Sequence, residues 1–185
     1  MRATTAELVK SLKKKEKVRI LFVCLGNICR SPAAEEIFRQ EAIEIGQGAN
    51  AEGKECLPGE RFFVDSGGMY GGHQGQGPDR RMVIHARRRG LELTHRSRPV
   101  RESDFDRFDM IVAMDSSNAS DLRDMAPTVE YERKIVEMAE FFSLATRYDY
   151  VPDPYYEGAE GFELVLDLLQ DACHNLLRAL TPETI

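Results

Sequence analysis

The chain has 185 residues, 31 of them acidic and 25 basic, which leaves a net charge of −6 at pH 7. That length suits one domain with a substantial core, and the negative charge argues against a dedicated nucleic-acid binder, which would carry a basic face. No apolar stretch approaches the roughly eighteen residues a membrane span needs, and the early lysines are not followed by the apolar core of a secretory signal, so a cytoplasmic setting is expected.

Residues 1–17 set Leu8, Val9 and Leu12 among Lys10, Lys13, Lys14, Lys15 and Lys17. This reads as a short amphipathic helix or a basic arm. The small apolar face favours a solvated extension ahead of a single domain over 18–185. Val18 to Val23 predicts a buried parallel strand. Beyond it Ser31 suits a helix N-cap and Pro32 a first helical position, and Ala34, Ile37, Phe38, Ala42 and Ile45 continue at helical spacing to about Gly46. Residues 46–59, rich in Gly, Ala, Asn and Glu, read as an exposed insertion.

Phe62–Asp65 predicts a second strand, leading into Ser66-Gly67-Gly68 and a loop with Gly71, Gly72, Gly75 and Gly77 that matches no nucleotide-binding pattern. A basic helical pattern follows from Pro78 to Arg89, with Met82, Ile84 and Ala86 facing inward and Gly90 as its stop. An extended segment carries His95. Met110–Met114 predicts a third strand, Asp115 opens a helix to about Met125, and Ile135–Val136 is a short fourth strand. Met138 to Ala145 reads as helix or turn. From Gly161 a long helix carries Phe162, Val165, Leu166, Leu169, Ala172, Cys173, Leu176 and Leu180 on one face. Strands alternating with helices predict an α/β domain with a parallel sheet, whose ligands bind beyond the carboxyl ends of the strands.

Cys24-Leu25-Gly26-Asn27-Ile28-Cys29-Arg30-Ser31-Pro32 occupies that place after the first strand. A helix N-terminus offers unpaired N–H groups and the positive end of a dipole, and Arg30 offers a planar fork for two oxygens of a phosphate. The field that attracts an anion also stabilises a Cys24 thiolate at its rim, which makes a covalent-catalysis site. A thiolate expelling an alkoxide or phenolate needs a proton donor. Asp153, in Val151-Pro152-Asp153-Pro154-Tyr155-Tyr156, is framed by prolines that stiffen its loop and by aromatics able to wall a substrate. The four cysteines, Cys24, Cys29, Cys56 and Cys173, form no CxxC pair and no zinc or disulfide framework. Cys29 is open to two readings, a small loop residue or the partner in a reversible disulfide with Cys24. Cys173 lies on the helix stripe as a packed thiol.

The run Cys24–Ser31 together with Asp153-Pro154-Tyr155-Tyr156 resembles the low-molecular-weight protein tyrosine phosphatase family, with its V-C-x-G-N-x-C-R-S and distant D-P-Y-Y signatures. Val64–Gly67, Pro78-Asp79, His95, Asp104-Phe105, Phe108-Asp109 and Met114–Asn118 resemble it in register, and the likeness covers about residues 18–180. The resemblance implies a four-stranded parallel sheet with helices on both faces, a flavodoxin-like three-layer fold. It implies Cys24 as nucleophile, Arg30 as phosphate clamp and Asp153 as general acid and then base. Leu25, Gly26, Asn27, Ile28, Cys29, Arg30 and Ser31 would form the phosphate loop. Ser31 would hydrogen-bond the Cys24 sulfur, Asn27 would hold the loop through Ser66 and His95, and Asp115 would position Arg30. Tyr155 and Tyr156 would flank the substrate ring. No metal or other cofactor is implied, because Arg30, the loop amides and the helix dipole supply positive charge. The partners would be phosphotyrosine-containing proteins or peptides, with inorganic phosphate as product.

Many family members carry an aromatic wall at the position of Gly72, where Tyr70 and His73 are the nearby substitutes. Arsenate reduction on a related loop needs relay cysteines, which Cys56 and Cys173 do not supply. Protein arginine phosphatase is expected to carry Thr where Ile28 stands. A silent phosphopeptide-binding module would need neither Cys24 nor Asp153.

Overall fold

The apolar run after Lys17 becomes strand β1 (Val18–Cys24), every residue of which is buried except Arg19. The computed structural model describes residues 1–50, 59–144 and 146–182. Strands β2 (Ala49–Asn50), β3 (Phe62–Gly68), β4 (Met110–Ala113) and β5 (Ile135–Glu137) complete one sheet in the order β2-β3-β1-β4-β5, all neighbours parallel. The four expected strands are present. The fifth, two-residue edge strand lies at the start of the expected insertion, and positions 51–58 of that insertion, with Cys56, lie outside the described residues.

Side chains alternate across β1, which explains its unbroken hydrophobicity: both faces are covered. Val18, Ile20, Phe22 and Cys24 join a core with helices α1 (Ala3–Leu12), α2 (Arg30–Glu44), α3 (Arg80–Arg87) and α7 (Ala159–Leu180). Leu21 and Val23 join a second core with α4 (Asp104–Arg107), α5 (Ser116–Met125) and α6 (Val129–Glu132). All eight stripe residues of the last helix are buried. Among the described residues, no helix is long and apolar enough to cross a membrane.

Four local expectations are corrected. The first residues are a helix, not a solvated arm, because Val9 and Leu12 of α1 enter the main core. Ser31 and Pro32 are not cap and first position: α2 begins at Arg30 with Cys29 as its cap residue, which leaves the Ser31 hydroxyl free for other partners. Ile84 is exposed and His85 faces inward instead, stacked on Phe162 and bonded to Glu163. Ile45 lies beyond the last turn of α2 and is exposed. Met138–Phe141 is a short 3-10 turn.

The chain leaves β1 toward β3 on one side and reaches β4 on the other. This reversal of strand order opens a crevice at the carboxyl ends of the strands, where Cys24 lies.

Candidate active site

Residues 24–30 curl into a loop between β1 and α2. Asn27 takes φ +54°, the sole left-handed non-glycine among the described residues, a conformation Asn tolerates because its side chain finds local partners. The loop's carbonyls point outward. Cys24 O accepts from Met69 N at 3.0 Å, Leu25 O from Tyr70 N at 2.8 Å, Gly26 O from Ser97 Oγ at 3.2 Å and Ile28 O from Asp79 N at 2.8 Å. The amides are thereby left for the inside of the cup, at the N-terminus of α2, an arrangement suited to an anion. Gly68 makes room for this loop, because a Cβ there would lie 2.7 Å from Leu25 O.

Cys24 sits on the floor of the cup, 2% exposed. Its Sγ receives the Asn27 N–H at 3.2 Å and lies 3.1 Å from Ser31 Oγ. Arg30 is also buried. Its Nη1 donates to Asp115 Oδ2 at 2.6 Å and to Val151 O at 3.0 Å, and its Nη2 to Asp153 Oδ2 at 3.2 Å. Burial alone would lower the Arg30 pKa, but its electrostatic interactions with the groups at Cys24 and Asp153 and the hydrogen bond and charge of Asp115 raise it, so the guanidinium stays cationic. Asp115 reaches Arg30 while its other oxygen caps α5 through Asn118 N at 2.8 Å. Asp153 is partly exposed at the rim, and its Oδ1 accepts from Tyr155 N at 3.1 Å. Cys29 is a buried free thiol, as is Cys24. Its pKa is pushed well above the ordinary thiol range, first by burial and then by the charge of Asp79, which keeps it protonated.

Beneath the loop, Asn27 Nδ2 donates to Ser31 Oγ and Ser66 Oγ, each at 2.9 Å, and Asn27 Oδ1 accepts from Arg98 N and contacts His95 Nε2, each also at 2.9 Å. Ser66 Oγ donates to Glu35 Oε2 at 2.6 Å, and His95 Nδ1 lies 3.0 Å from the same oxygen and 3.7 Å from Asp65 Oδ1. Burial pulls the His95 pKa down, but the hydrogen bond and charge of Glu35, with the charge of Asp65, outweigh it and raise the pKa. Arg98 bridges Asp65 at 2.8 Å and Asp104 at 2.9 Å.

The cleft above the cup encloses about 240 Å³ and is walled by Leu25, Ile28, Tyr70, His73, Tyr155 and Tyr156, with Cys24, Arg30 and Asp153 at its base and rim. A Cβ on Gly72 would lie 2.1 Å from Tyr70 Cζ. The Tyr70 ring therefore fills the space that a side chain at 72 would need, and His73 stands edge-on to it at 5.7 Å.

The family model for low molecular weight phosphotyrosine protein phosphatase matches residues 19–184. The chain belongs to this family. A low molecular weight protein-tyrosine-phosphatase of Bacillus subtilis, YfkJ, is 39% identical over 169 residues, spanning 90% of this chain and 97% of that one. A low molecular weight phosphotyrosine protein phosphatase of Schizosaccharomyces pombe is 35% identical over 165 residues, 89% of this chain and 98% of that one. A crystal structure of a protein tyrosine phosphatase from Entamoeba histolytica, with Hepes in its active site, superposes with a TM-score of 0.77 at 41% identity, covering 88% and 96% of the two chains.

In this low molecular weight phosphatase, every site residue expected from sequence lies in the cup, its support or its cleft. Sequence reasoning missed Glu35, Asp65, Ser97 and Arg98 as supports of the loop. Glu35 carried one readable signal, a carboxylate among Ala33, Ala34, Ile37 and Phe38 on a face that had to be buried. Arg98 carried none, since its partners depend on which strands become neighbours.

Proposed function

We propose that this phosphatase hydrolyses phosphotyrosine in proteins and peptides, and small aryl phosphates, through a cysteinyl-phosphate. The observation that carries the reading is a buried thiol, held by the Asn27 N–H and beside Ser31, facing the same cup as a fully charged Arg30. The Cys24 thiolate attacks phosphorus, an S–P bond forms, and the phosphorus–oxygen bond to the phenol breaks as Asp153 gives its proton to the leaving oxygen. The Asp153 carboxylate then takes a proton from water, which attacks phosphorus and releases phosphate. Sulfur departs as a thiolate eased by Ser31 and the Asn27 N–H. Arg30, the inward amides and the start of α2 stabilise the charge on the equatorial oxygens.

Depth supports an aryl ester. Cys24 is 2% exposed beneath walls that include Ile28, Tyr70 and Tyr155, so the long flat arm of an aryl ester suits the cleft better than the short arm of phosphoserine. A reducing cytoplasm suits a nucleophile that must stay a thiol.

Turnover of a phosphotyrosine peptide and of p-nitrophenyl phosphate tests the reading. Wild type should hydrolyse both, and Cys24→Ser should abolish hydrolysis while still binding phosphate. Reduction of arsenate by thiol with no ester hydrolysis would overturn it.

A further inference from the structure

Asp153 lies on a loop with its carboxylate partly exposed, and two of its contacts orient it: Arg30 Nη2 at 3.2 Å and the Tyr155 N–H at 3.1 Å. A phosphate in the cup draws Arg30 to its own oxygens. The aim of the acid then rests on the backbone at Tyr155.

Arg81 stands against that point. Its guanidinium carbon lies 5.3 Å from the centroid of the Tyr155 ring and 4.9 Å from that of Phe162, in the first turn of α7. The group thus touches the acid loop and the helix that follows it. Asp79 fixes it there: Oδ1 accepts from Arg81 Nε at 3.0 Å and Oδ2 from Nη2 at 2.8 Å, a two-point grip that only the planar fork permits. Asp79 also caps α3 by accepting from Arg81 N at 2.8 Å, and its own N–H donates to Ile28 O of the phosphate loop at 2.8 Å. A chain of contacts therefore runs from the phosphate loop through Asp79, Arg81 and Tyr155 to Asp153. Arg81 does not line the cleft, so anything it does to the reaction passes through another residue.

We propose that Arg81 is a positioning residue. Held by Asp79, it presses on the Tyr155 ring and keeps the backbone that aims Asp153 at the leaving oxygen in register with the phosphate loop. The proposal rests on Asp153 being the acid. It gives a role to the grip of the Asp79 carboxylate on Nε and Nη2 of Arg81.

The test compares kcat/KM for phenyl phosphate, whose leaving group needs a proton, with that for p-nitrophenyl phosphate, whose leaving group needs it less. Arg81→Leu should lower the first about tenfold and the second less than about threefold, the pattern of a misaimed acid. Asp79→Asn keeps a cap-forming side chain but loses the charge that grips Arg81, so it should shift the two rates in the same direction by less. In an Asp153→Ala background, Arg81→Leu should have no further effect. Equal slowing of both esters, or the same slowing with and without Asp153, overturns the proposal. Asp153→Ala alone separates the two assignments. If it produces the leaving-group dependence and Arg81→Leu does not, only the role of Arg81 fails. If it produces none, the acid assignment fails and takes this proposal with it.

Discussion

At Gly72 a Cβ and the Tyr70 ring compete for one volume, with 2.1 Å between them. Tyr70 is more than half exposed, so its ring can swing aside at little cost. Gly72→Ala should therefore open the cleft without unfolding the protein. KM for aryl phosphates should rise about two- to tenfold, the worth of one aromatic contact, while kcat changes less. Tyr70→Ala should match it, and steady-state kinetics of both variants checks the expectation. The wall residue was legible only as a choice between Tyr70 and His73, because spacing along a loop does not say which ring reaches back over the glycine. His95 gives a pH signature. Its folded pKa is raised above the ordinary 6.5 by Glu35 and Asp65, so its charged interactions contribute fully below 6.5 and are lost as pH rises through the raised value. The difference in Tm between wild type and His95→Asn should be largest in mildly acidic buffer and narrow as pH rises. A difference independent of pH would show that His95 acts only as a neutral hydrogen-bonding group.

Among the elements, α1 changes most on going from sequence to structure. Five lysines crowd residues 10–17, at its last turn and just beyond it, yet Val9 and Leu12 pack against the main core. Arg61, just before β3, ties the helix down by donating to the carbonyls of Leu12, Lys13 and Lys15 and to Leu180 O at the end of α7. One cation thus satisfies the terminal carbonyls of two helices, where a positive charge is also favoured by their dipoles. Leu12→Ala should cost about 2–5 kcal/mol in urea unfolding, as for other buried leucines. A solvated arm would give a change within about 0.5 kcal/mol. The apolar pattern of α1 was too short to decide this, since two or three apolar side chains bury only where a matching surface exists.

For the molecule as a whole, the cup is assembled from distant parts: the ends of β1 and β3, the cap of α5 and the loop before α7. An anion bound there reports on the assembled fold. At a hundred times its Kd, vanadate or phosphate should stabilise the native state by about 2.7 kcal/mol, seen as a rise in Tm. Arg30→Ala should lose most of that rise, because the buried guanidinium and its grip on Asp115 are gone. A similar rise in both proteins would show that the anion acts elsewhere.

Sequence alone determined the alternation of strands and helices, the cysteine and arginine brought together in one nine-residue run, and the apolar stripe of α7. Those features are local: periodicity, turn chemistry and a helix start act within a few residues. Tertiary structure decided what meets across the sheet. Placing β1 between β3 and β4 brings His95 to Asn27, 68 positions away, and Arg30 to Asp153, 123 positions away. It also sets Glu35 under Ser66, α1 against α7 and the Tyr70 ring over Gly72. Such contacts depend on strand order and on the packing of whole faces, which no short window of residues contains.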